Sequence, residues 1–111
     1  MKTAYFDKVG TERIYSDLGG RDLLKSKGVR SSFQFEPTTL LACLPDGCRD
    51  GIGLVRIVLN PDKESYSVRF IRFTGPLSNP TKDFVVMKHY GELRRDKLRG
   101  AFTYHTGLEL S

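Results

Sequence analysis

The chain has no tryptophan, and only two cysteines, two histidines and two methionines, in 111 residues. Each shortage removes a class of protein. Without tryptophan, the Gly-x-Trp signature of a lipocalin barrel is missing. Structural zinc takes four ligands, usually as two close pairs. Here Cys43 and Cys48 stand on either side of Leu44-Pro45-Asp46-Gly47, and the only histidines, His89 and His105, lie far along the chain. We therefore expect no metal and no cofactor. A disulfide could cross the short Cys43–Cys48 turn, but in a reducing cytoplasm two free thiols are the expectation.

Long apolar runs are also missing. The best stretch, residues 52–59, is interrupted by Arg56, far short of the roughly 20 apolar residues that span a bilayer. Residues 1–7 contain no apolar h-region, so no secretory signal is read there and a cytoplasmic, membrane-free protein is expected. No five like charges occur in succession, which leaves no basic arm. Leu18-Gly19-Gly20-Arg21-Asp22 is not a P-loop, and neither Gly-x-Ser-x-Gly nor His-Glu-x-x-His occurs. Neither cysteine is flanked by a base. Spacing ties none of Asp83, Glu92 and Asp96 to a histidine. Catalysis is the weakest reading.

What remains is ordinary globular material, 39% apolar and 28% charged, of a length that builds one core and one domain, residues 1–111. The charge balance is 18 Lys and Arg against 13 Asp and Glu, a net +5. That excess points to anionic partners, either nucleic acid or an acidic protein surface.

Strand signals dominate. Residues 31–36 alternate with Phe33 and Phe35 on one face, and residues 38–44 are β-branched and aliphatic up to the Pro45-Asp46-Gly47 turn. Residues 52–59 and 66–73 form the clearest pair, around Asn60-Pro61-Asp62-Lys63-Glu64-Ser65, where Pro-Asp suits a type I turn. Pairing Asn60 with Ser65 sets Leu59 opposite Tyr66, Ile57 opposite Val68 and Val55 opposite Phe70, all on one face. The other face pairs Val58 with Ser67, Arg56 with Arg69, Leu54 with Ile71 and Ile52 with Phe73.

A strand beginning at Phe84 and a second hairpin, Leu93 opposite Leu98, are expected next. That register sets Glu92 against Arg99, His89 against Phe102 and Met87 against Tyr104, and places His89 on the core side and His105 on the other. Further strands are read over residues 2–8 and 11–15, with a short helix from about Arg21 to Lys27. The expected fold is all-β or mostly β, a small antiparallel barrel or strongly curved sheet of about six to eight short strands. The alternative is an α+β roll with one helix within residues 16–28.

The functional reading follows from Arg56 and Arg69. Like charges directly opposite on a sheet repel unless something neutralises them, and a guanidinium fork suits phosphate or carboxylate. With Arg99 from the next hairpin they form the expected anion site of a non-catalytic binding module. The alternative is a barrel holding an apolar ligand among Tyr66, Val68, Phe70, Phe102 and Tyr104. The apolar outer positions Ile52, Leu54, Ile71 and Phe73 call for a cover, a homodimer partner or the N-terminal segment.

Overall fold

The two β-branched and aromatic runs at the centre of the chain form a hairpin in the computed structural model, which describes residues 8–33, 39–61, 64–74 and 84–110. Strand β3 is Ile52–Leu59 and β4 is Ser65–Phe73. Their register sets Leu59 opposite Tyr66, Ile57 opposite Val68 and Val55 opposite Phe70, as the alternation requires. Asn60 N donates to Ser65 O at 3.0 Å and closes the loop. The expectation fails at the far end. A bulge between Ile52 and Leu54 sets Ile52 opposite Arg72 instead of Phe73. It also turns Ile52 into the core, at 3% exposure, because one inserted residue reverses the faces beyond it.

On one side of this hairpin lie β2 (Thr39–Cys43) and β1 (Arg30–Phe33), and on the other β5 (Phe84–Arg94). The order is β1-β2-β3-β4-β5, antiparallel throughout. The sheet is open. It has five strands among the described residues, not six to eight, and does not close into a barrel.

The barrel is lost because the second hairpin does not form. β5 ends at Arg94 and pairs with β4, so that Leu93 faces Tyr66 and not Leu98. After a short 3-10 turn, Leu98–Thr106 is a helix, here α3. Its buried residues, Leu98, Phe102 and Thr106, recur every four, a spacing common to strand alternation and to one stripe of a helix. Gly107, at φ 81°, ends the helix in the left-handed region, where its N–H donates to Thr103 O at 2.9 Å.

The strand expected over residues 11–15 is also corrected. Those residues belong to helix α1 (Lys8–Leu18), whose Ile14, Tyr15 and Leu18 are buried. Gly19 and Gly20, with φ near +107° and +106°, end it. A Cβ at Gly19 would sit 2.6 Å from Leu23 Cδ2 and 3.2 Å from Leu110 O, at a φ that residues with side chains rarely adopt. Helix α2 follows as Arg21–Ser26. The strand expected over residues 2–8 lies outside the described residues, apart from Lys8, which opens α1; residues 34–36 lie outside them too.

The helices cover one face of the sheet. Ile14, Leu18, Leu24, Leu98 and Phe102 share one apolar cluster with Leu40, Ala42, Val55, Ile57, Val68 and Phe70, the two-layer solution for a sheet with one apolar face. No helix among the described residues is long and apolar enough to cross a membrane.

A polar bond pins the layers together. Tyr66 Oη donates to Asp17 Oδ2 at 2.6 Å, and Arg95 Nε donates to the same oxygen at 2.8 Å. Burial first, then the hydrogen bond and charge of Asp17, push the Tyr66 phenol above its ordinary value. A raised folded-state pKa contributes stability that is complete below the unfolded value, near 10, and is lost as pH rises beyond it. Denaturant unfolding should therefore show stability declining above about pH 10. Tyr66→Phe should flatten that decline and cost about 1.5–3 kcal/mol at neutral pH. An unchanged alkaline profile in the variant would contradict the assignment.

Candidate functional site

The inner face of the central hairpin fixes what its outer face presents. Since Val55, Ile57 and Leu59 point to the helices, Leu54, Arg56 and Val58 point away; likewise Ser67, Arg69 and Ile71 of β4. The register sets Arg56 directly opposite Arg69, with Cβ atoms about 5 Å apart in such a pair. The row extends across both neighbours: Leu41 of β2 lies opposite Arg56, and His89 of β5 opposite Arg69. Arg56 is half-buried, while Arg69 and His89 are exposed. At about 4.8 Å per strand, the span from Arg56 to His89 is about 10 Å.

The rows on either side differ in character. Towards the β3–β4 turn, Asn60 Nδ2 donates to Ser65 Oγ at 2.9 Å and Gly91 O at 3.1 Å, and the Ser67 hydroxyl donates to Asn60 Oδ1 at 2.8 Å. Towards the other end, Cys43, Leu54, Ile71 and Val86 form an apolar row. The two arginines and the histidine thus lie between a polar network and an apolar surface.

Among the described residues, neither Arg56 nor Arg69 has an acidic partner. The ion pairs found there join Arg21 to Glu12, Arg94 to Asp96 and Arg95 to Asp17. Asp50 pairs with neither arginine; Glu36 lies outside the described residues.

His89 corrects the expectation that put it on the core side. The hairpin that would have placed it there does not form. Bulges between β4 and β5, at Tyr66/Val68 and Phe70/Ile71, set its parity, and no sequence periodicity reveals them. Arg99 does not join the row. It sits on α3, in the helix layer, with Nη2 donating to Ser16 O at 3.4 Å. Of the residues read as lining an apolar cavity, Tyr66, Val68, Phe70 and Phe102 are fully buried within the packed core, whereas Tyr104 is 67% exposed on α3. The exposed apolar surface is also displaced. Ile52 and Ile71 are buried, and Phe84, Val85, Val86 and Met87 of β5 are 40–50% exposed instead.

Beside the β5 edge, His105 Nε2 lies 2.7 Å from Tyr90 Oη. Burial, then Lys88 and Arg49, hold its imidazole below the ordinary range, against a smaller opposing effect of Asp50. A depressed histidine contributes stability that is complete above its unfolded value, near 6.5, and is lost as pH falls below it. Thermal unfolding of His105→Gln should accordingly depend less on pH between about 6.5 and 5 than that of the parent. Equal slopes would contradict this.

Cys43 and Cys48 are unbridged. Burial, and then Asp46, raise the Cys48 thiol, which works against thiolate chemistry at neutral pH. Among the described residues no three His, Cys, Asp or Glu side chains converge on a point where a metal could bind. No family model, curated protein or solved structure matches the chain.

Proposed function

We propose that the outer face of the sheet is a non-catalytic binding surface for a polyanion, the phosphate backbone of a nucleic acid, held by Arg56 and Arg69 with His89 beside them. The observation that carries the reading is the cross-strand row itself: two facing arginines with no acidic partner among the described residues. Two unit charges held at that Cβ spacing of about 5 Å would repel by roughly 1 kcal/mol even at the dielectric of water. A bound phosphate converts that repulsion into charge-assisted hydrogen bonds. The flanking apolar row is compatible with nucleotide bases as well as backbone.

The test is fluorescence anisotropy of labelled single- and double-stranded oligonucleotides at low and moderate salt. Binding should weaken steeply with salt, because each phosphate contact releases counterions. No binding at low salt ends the reading. Binding by an acidic polypeptide but by no oligonucleotide would give the surface to an acidic protein partner.

A further inference from the structure

Among the described residues β5 pairs with β4 alone, and Phe84, Val85, Val86 and Met87 follow one another along it at 40–50% exposure. We propose that this edge pairs with the β5 edge of a second copy of the chain, antiparallel, to make a two-fold dimer with one continuous sheet. The inference goes beyond the sheet-face reading and does not depend on it.

The two edges of the sheet differ. β1 is four residues long and opens with Arg30, Ser31 and Ser32, the short polar form in which an edge resists pairing. β5 is eleven residues long, and residues 84–87 include no charge and no proline. Successive side chains of a strand lie on opposite faces. Phe84 and Val86, opposite Phe73 and Ile71, face outward, and Val85, opposite Arg72, faces the helix side. A ligand lying on the sheet would cover one of these faces; a strand added at the edge extends both. Four side chains exposed by nearly half amount to roughly 300 Å2 of contiguous apolar surface, a size at which such a patch is often functional.

Symmetry selects the register. A two-fold axis perpendicular to the sheet makes identical strands antiparallel and keeps every side chain on its own face, so the central residue lies opposite its own copy. Phe84–Val86 is the regular stretch that precedes the bulge facing Phe70 and Ile71, and its centre is Val85. In that register Val85 meets its own copy on the helix side, and Phe84 meets Val86 on the outer face, twice. Aromatic and β-branched residues make favourable cross-strand pairs, whereas centring on Lys88 would oppose two like charges. The outer apolar row that ends at Val86 then continues into the second copy. With one such edge per chain among the described residues, the assembly closes at two copies. Its interface falls at the small end of the specific range, below about 1,200 Å2 in total, so the dimer is weak, with a Kd on the order of 10–100 μM.

The experiment is sedimentation velocity of the full chain, without nucleic acid, from about 1 to about 500 μM, with thermal melts as the folding control. The chain should pass from monomer to dimer over that range. Val85→Lys should leave the melt nearly unchanged, since Val85 is 48% exposed, and should weaken dimerisation at least about tenfold by setting two cations face to face. Arg56→Gln/Arg69→Gln should leave dimerisation unchanged, so failure here and failure of the sheet-face reading are distinguishable. Cross-linking reads the register independently of that variant. Facing residues have Cα atoms about 4.5–5.5 Å apart, within reach of a disulfide. In a Cys43→Ser/Cys48→Ser background, Val85→Cys should therefore give a disulfide-linked dimer with oxidised glutathione, and Glu92→Cys, further along the same strand, should not. A chain that stays monomeric at about 500 μM, with its edge left to another segment or another protein, overturns the proposal. Assembly beyond two copies, dimerisation indifferent to Val85→Lys, or equal cross-linking through both cysteine variants would each overturn it as well.

Discussion

Replacing Arg56 and Arg69 together by glutamine is expected to weaken oligonucleotide binding by about a hundredfold at low salt. The figure follows from about 1.4 kcal/mol, or tenfold, for each charge-assisted hydrogen bond that the change removes. The dependence of log K on log salt should flatten by about 1.4, since each phosphate neutralised on a single strand contributes about 0.7. Glutamine keeps much of the aliphatic stem and some hydrogen-bonding capacity, so the change isolates charge. The same variant should be more stable than the parent at low salt, by roughly 0.5–1 kcal/mol, because facing like charges destabilise a sheet. That gain should shrink as salt screens the parent's repulsion. Weaker binding with higher stability is the signature of arginines retained for a ligand. A variant that binds as well as the parent would remove the pair from any role in recognition. One that loses stability at low salt would show that the arginines have partners in the fold.

Phe102→Ala is expected to cost about 3–5 kcal/mol in denaturant unfolding, the usual penalty for emptying a large, fully buried aromatic site. Phe102 is 0% exposed and shares the cluster with Val55, Phe70 and Leu98. It is central because α3 reaches the sheet through the stripe Leu98, Phe102 and Thr106. A loss near 1 kcal/mol would mean that α3 is not seated on the sheet as described. Tyr104, two residues on and 67% exposed, should tolerate alanine with a far smaller loss of stability.

The central hairpin was legible because two constraints agreed. Val55, Ile57 and Leu59 alternate, Tyr66, Val68 and Phe70 alternate, and the four residues between Asn60 and Ser65 admit one register that aligns the two sets. The Arg56–Arg69 pair follows from that register alone. Legibility ended where one spacing served two periods. Leu98 and Phe102 fit a strand face and a helix stripe equally, and Gly100 between them favoured the strand. The fold chose the helix, which brings Leu98, Phe102 and Thr106 together onto the sheet. In α1, β-branched Thr11 and Ile14 suggested a strand, while the pattern that mattered was Ile14, Tyr15 and Leu18. Bulges account for the rest. They change parity where a glycine interrupts the strand, Gly53 in β3 and Gly91 in β5, and so moved Ile52 inward and His89 outward. His89 therefore joined the candidate site only through three-dimensional register, and Arg99 left it for the same kind of reason.

The claim that the outer sheet face meets a polyanion is tested most directly by residue-resolved NMR. Backbone amide shifts of labelled protein would be followed during titration with a single-stranded oligonucleotide at low salt. The largest shifts are expected at the centres of β3 and β4, around Arg56 and Arg69, continuing to His89 on β5, and they should collapse at high salt. Shifts confined to α1 and α2, with β3 and β4 silent, would contradict it.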